Sequence, residues 1–340
     1  MTKNKINWLL ILQGWAMLWV VIGHAPLSIE DMPPFVSICY HFAYSFHMPL
    51  FIMISGWLFY KTRIESQGVG PNNWTWGGIM RDKLIRLGIP YVVFTIIAMA
   101  AKCLFPGDME RTTSFTFSEL IHAIIYPGSG ALGEMWFIAC IMWYFMLYPL
   151  WRVVLKRHTS IWIVLLLLVV VHFARAEYQY FNISLLCIGT MLEYIIWFYI
   201  GLVLSRLDIM GLITKNNVYP WLLFFVGSAL YVTMRYFNII FGGTVFAIVL
   251  SFGLAFLFDR YYPKLYWTFR NYTYQIFLMG IFFQIVIKML YKRVDMPYYV
   301  FYVFCILAGL YLPVLITIVL QKINNKYVLM CVGLKKQNNF

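Results

Sequence analysis

Ten apolar runs divide the chain, near residues 6–27, 41–60, 84–105, 134–151, 159–174, 181–204, 218–234, 238–258, 272–290 and 297–320. Each is close to the ~20 residues an α-helix needs to cross a bilayer core. The pattern predicts an all-α fold, a polytopic transmembrane helical bundle of about ten spans, with residues 1–340 as a single integral-membrane domain. The shortest link, Arg235-Tyr236-Phe237, separates the seventh run from the eighth. Two polar stretches interrupt the series. Residues 61–83 predict a cytoplasmic loop and residues 106–133 the largest outer loop, within which 117–126 suits a short interfacial helix with Ser118 before Glu119 as its capping signal.

Composition makes the membrane reading secure. Apolar residues are 62% of the chain and charged residues 11%, against roughly 45–50% and about 25% in soluble domains. Lys and Arg then set the orientation. With the amino terminus inside, nineteen of the 26 fall on inner segments, leaving Lys102, Arg111, Arg175, Arg235, Lys288, Lys292 and Arg293 elsewhere. That asymmetry predicts cytoplasmic termini and accounts for most of the +13 net charge through membrane lipids, without nucleic acid. The first run exceeds a signal-peptide h-region and lacks a good small-x-small cleavage site, so no cleavable leader is expected. The six cysteines are scattered with no Cys-x-x-Cys pair, so they read as small apolar fillers; no metal site is expected. No Walker-type loop, Gly-x-Gly-x-x-Gly, His-Glu-x-x-His or Gly-x-Ser-x-Gly is present.

Ionisable residues inside the apolar runs are the candidates for chemistry, because burying them in lipid is costly. His24 closes the first run and His47 lies in the second, at what spacing suggests is a similar depth. Gln13 stands eleven residues before His24, about three helical turns and roughly 16 Å along the axis, on nearly the same face. Gly14, Ala16 and Gly23 would let another helix approach. The third run opens with Arg81-Asp82-Lys83-Leu-Ile-Arg86, in which Asp82 and Arg86 suit an i, i+4 pair and the cations suit a polyanion or lipid phosphates. Glu193 falls mid-run and needs a partner or a cavity. Glu134 begins the fourth run beside Trp136.

Together these residues resemble the acyltransferase-3 family of integral-membrane acyltransferases, many of them bacterial O-acetyltransferases acting on surface polysaccharides. Gln13-Gly14-Trp-Ala16 with Val20-Val21-Ile-Gly-His24 is similar to the family's opening Arg-Gly-x-Ala and Val-Val-x-x-His. Phe-His47-Met-Pro-Leu-Phe, Lys83-x-x-Arg86-Leu-x-x-Pro90, Trp136-Phe137-Ile138 and Trp197-Phe-Tyr-Ile-Gly201 continue the likeness. Gln13 stands where relatives are usually basic, and Tyr274-Gln-Ile-Phe-Leu-Met279 replaces a Tyr-x-x-His segment.

The resemblance implies transfer of an acetyl or short acyl group from acetyl-CoA or another acyl-CoA to a hydroxyl of a glycan or lipid-linked sugar, in a bacterial inner membrane. His24 would act as general base, assisted by His47; Arg81, Lys83, Arg86 and Gln13 would hold the donor; and Tyr44, Glu134 and Trp136 would meet the acceptor. A transporter or flippase of lipid-linked sugars, with the histidines in proton coupling, is the alternative from another class.

Overall fold

The computed structural model describes residues 6–65, 75–105, 113–178 and 183–336. Lys3, Lys5, Arg111, segments 66–74 and 106–112 of the two polar stretches, and the first two residues of the 181–204 run lie outside the described residues. Among the described residues the chain is helical and has no strand. This is what lipid dictates, since a helix satisfies its backbone groups internally.

The helices are α1 (Asn7–His24), α2 (Pro34–Phe59), α3 (Trp76–Lys83), α4 (Ile89–Leu104), α5 (Phe117–Ile125), α6 (Trp136–Met146) and α7 (Tyr148–Val154). They continue with α8 (His158–Glu177), α9 (Ile188–Arg206), α10 (Ile209–Lys215), α11 (Tyr219–Tyr236) and α12 (Ile240–Tyr261). The last three are α13 (Thr273–Tyr291), α14 (Tyr298–Ile323) and α15 (Lys326–Cys331). Among the described residues eight helices are long and apolar enough to cross a membrane, or up to ten if each of two bent pairs is one span. The expected ten runs are therefore recognisable one by one.

Local chemistry explains the departures from straight spans. The chain bends by 54° between α6 and α7, where Pro149 is in the first turn of α7 and has no N–H to extend the α6 ladder. The freed carbonyls are taken by indoles: Trp151 donates to the Tyr144 oxygen at 2.8 Å and Trp76 to the Met146 oxygen at 3.0 Å. Between α11 and α12 the link turns through Asn238 at φ 54°, a residue type that tolerates the left-handed region. The resulting hairpin is close-packed at two glycines. A Cβ on Gly227 would sit 2.7 Å from the Leu250 nitrogen, and one on Gly253 would sit 2.5 Å from the Phe224 nitrogen. The interfacial helix α5 forms as expected, but its cap is Thr116, whose hydroxyl accepts from the Glu119 N–H, two residues before the expected Ser118.

The contacts gather in two compact units, each assembled from two chain segments. The first is Met1–Ile54 with Asp208–Lys322, and the second is Ser55–Leu207 with Ile323–Phe340. In the first unit Met17 and Val21 of α1 pack with Phe269, Ile276, Leu310 and Val314, while Ala25 and Val36 pack with Phe301, Tyr302 and Cys305. The second unit has an aromatic centre in which Phe198 stacks on Tyr144 at 4.9 Å and tilts against Phe59 at 5.9 Å. A methyl group on Gly56 would overlap the Phe198 carbonyl, so only glycine fits there.

Candidate functional site

In the first unit, α1 and α2 bring His24 and His47 to the two sides of one tyrosine. The His24 ring lies 5.9 Å from the Tyr44 ring, and Tyr44 stands edge-on to His47 at 5.1 Å. The approach depends on Gly23, whose Cβ would already meet Ala43 and Tyr44 at 3.2 Å. Tyr40 extends the row, 4.4 Å from Tyr44.

The two imidazoles have different surroundings. His47 is buried, and its Nδ1 lies 2.6 Å from the Ala43 carbonyl oxygen. A carbonyl only accepts, so Nδ1 carries the proton and Nε2 is the ring nitrogen left for other partners. His24 is half-buried at the end of α1 and Tyr44 is exposed. His24 is therefore the histidine a reactant can reach, and His47 is the one held by its own helix. Gln13, the third polar position, is half-buried further down α1. The small residues beside it have split roles: Gly14 admits Tyr266 and Arg270 of the segment before α13, not another helix, and Ala16 is fully buried.

In the second unit the opening of the third run becomes an ion cluster. Asp82 pairs with Arg86 at 3.2 Å, as its i, i+4 spacing predicts. It also pairs with Arg63 at 2.7 Å and with Lys335 at 3.4 Å. One carboxylate thus gathers three cations: Arg86 from its own helical stretch, Arg63 from the end of the second run and Lys335 from near the C-terminus. Lys83 lies over the Phe145 ring, 3.8 Å from its centroid, and Arg81 is exposed. The backbone here is unusual on both sides. Tyr60–Ile64, which carries Arg63, and Leu84–Gly88, which carries Arg86, are each a π-helical turn. Such turns widen a helix locally and recur at functional sites. The cluster keeps an excess of positive charge that one carboxylate cannot neutralise, which suits a phosphate-rich ligand.

Elsewhere in the second unit, Glu193 finds the partner that its mid-run position requires. Arg175 binds its carboxylate at 2.6 Å and donates from Nε to the Gly189 carbonyl at 3.1 Å. The His172 ring bonds the Glu193 carbonyl at 2.9 Å. Trp136 leans on Tyr194 at 5.3 Å, and Glu134 is half-buried in the 3₁₀ turn Gly133–Met135 that opens α6. The predicted site residues therefore group as His24, Tyr44, His47 and Gln13 in the first unit, and Arg81, Lys83, Arg86, Glu134 and Trp136 in the second.

Sequence reasoning missed Arg63 and Lys335 as members of the cation cluster, because both read as inner-face anchors. Arg63 sits one turn past an apolar run, and only its burial, which the structure shows, sets it apart from an exposed anchoring arginine.

Comparison with known proteins bears on the whole chain. No curated protein and no solved structure matches it. The family model of an acyltransferase domain, the acyltransferase-3 family, matches residues 6–318, which include α1 to α13 and nearly all of α14. The chain belongs to the acyltransferase-3 family and is an integral-membrane acyltransferase.

Proposed function

We propose that the protein is an O-acetyltransferase that moves an acetyl or short acyl group from acyl-CoA to a hydroxyl of a cell-surface carbohydrate, in a bacterial inner membrane with both termini cytoplasmic. The observation that carries this reading is the unequal pair of histidines: a reachable His24 and a buried His47 on either side of Tyr44.

Neutral His24 takes the proton of the acceptor hydroxyl as that oxygen attacks the thioester carbonyl. The C–S bond breaks, the thiolate of coenzyme A leaves, and the proton held by His24 returns to it, giving the ester and free coenzyme A. Tyr44 shields one side of His24 and offers a ring face for a sugar. His47 positions Tyr44 through its edge contact. Arg86, Arg63 and Lys335, arranged around Asp82, hold donor phosphates, and Arg81 adds charge at the periphery.

The test is coenzyme A release by the purified protein supplied with acetyl-CoA and a glycan acceptor. Acceptor-dependent release supports the reading. Full activity in a folded His24→Ala variant would overturn the role of His24, and glycan movement without thioester consumption would favour a transporter.

A further inference from the structure

A second feature of the first unit is not used by the histidine chemistry. Trp19 of α1, one face of α2 around His41 and Phe42, and the Tyr231–Arg235 turn of α11 enclose an open cleft of about 460 Å³. That lies within the ~300–1,000 Å³ typical of small-molecule sites. Its floor is aromatic: Trp19 packs edge-on against Phe42 at 4.6 Å, and Phe42 against Tyr231 at 5.3 Å. Its rims are Ile38 and Val232, which are 68% and 65% exposed.

Two polar features stand on this apolar surface. Arg235 has its stem laid over Gly243, where an added Cβ would meet the arginine Cδ at 3.4 Å, and no carboxylate among the described residues pairs with it. Arg235 is in the last turn of α11, and a guanidinium at the end of a membrane helix suits a phosphate. His41 is exposed on the same cleft. A bare sugar fits this lining poorly, because it presents a hydroxyl on nearly every carbon to a wall with few partners. A free anion would leave the aromatic floor unused.

The geometry points to a site for a phosphate-bearing long-chain lipid, namely the lipid carrier of the acceptor sugar. Its chain lies on Trp19, Phe42 and Tyr231, and its phosphate meets Arg235 and His41. A row of rings connects this cleft with the catalytic histidine. His41 contacts Tyr40 at 5.5 Å, Tyr40 contacts Tyr44 at 4.4 Å, and Tyr44 contacts His24 at 5.9 Å. A sugar attached to that phosphate would extend over the Tyr40–Tyr44 faces toward His24. The ring row, which a structural phospholipid would not need, is the reason to assign the site to the acceptor's carrier.

This inference rests on the acyltransferase reading above, so it is tested by binding. The probe is labelled farnesyl phosphate, added to the purified full chain in phosphatidylcholine nanodiscs. Saturable binding is expected, with farnesol and inorganic phosphate at least tenfold weaker and Arg235→Gln weaker by about tenfold, the scale of one charge-assisted hydrogen bond. His24→Ala should bind as the unaltered chain does. Ile38→Trp, which fills the cleft and leaves Arg235 in place, should also abolish binding. Unchanged binding in both Arg235→Gln and Ile38→Trp overturns the site. Displacement by phosphatidylglycerol as effective as by unlabelled probe overturns it in favour of general lipid contact. Binding that survives while acyl transfer is absent would refute the reaction and leave the lipid site standing.

Discussion

The His24 region of the first unit and the Asp82 region of the second handle polarity in opposite ways. Around His24 and His47 the contacts include the Tyr44 ring faces and the Ala43 backbone carbonyl, and an imidazole there offers a nitrogen for proton transfer. Around Asp82 a single carboxylate binds three cations, two of them on π-helical turns, and the surplus charge is retained. A general base needs a lone pair and loses its use once it is charged. A phosphate site needs permanent charge, which arginine supplies at any working pH. Under the proposed function, proton transfer falls to one region and donor binding to the other.

Substitutions can break this division in descending order of effect. His24→Ala should lower acyl transfer by roughly 10²–10⁴-fold, the usual contribution of a general base, while the protein stays folded; turnover under saturating donor measures it. Asp82→Asn should act on stability, since it leaves the buried Arg63 guanidinium without its carboxylate. A loss on the order of 3 kcal/mol is expected, read as a lower unfolding temperature in detergent. Arg86→Ala should raise the KM for acyl-CoA by about tenfold with little change in kcat, because it removes binding common to ground and transition states. Lys335→Ala should be the mildest. Its side chain is 67% exposed, so steady-state kinetics should show a change worth at most about 1 kcal/mol. Equal effects of Lys335→Ala and Arg86→Ala on KM would mean that charge count alone matters and that the arrangement around Asp82 does not.

Much of the fold was legible because lipid leaves the chain few options. A run such as Ile240–Tyr261 must be a helix whatever it packs against. The bend between α6 and α7 was present in the chain as Pro149, but only the structure shows the Trp76 and Trp151 indoles that take the freed carbonyls. The Asp82–Arg86 pair followed from helical spacing. Arg63 and Lys335 did not, because a contact across a long stretch of chain leaves no periodic trace. The need of Glu193 for a partner was readable from its place in the run, whereas the identity of Arg175 required the packing of α8 on α9. That His24 and His47 would stand near one another was readable too, as both contact Tyr44. Their inequality was not, since burial and the Ala43 carbonyl contact depend on how α1 and α2 meet.

The separation of roles is tested most directly by equilibrium binding of acetyl-CoA to the folded His24→Ala and Arg86→Ala variants. Unchanged affinity is expected in His24→Ala, and affinity weakened about tenfold in Arg86→Ala. Weakened binding in His24→Ala with none lost in Arg86→Ala would contradict it.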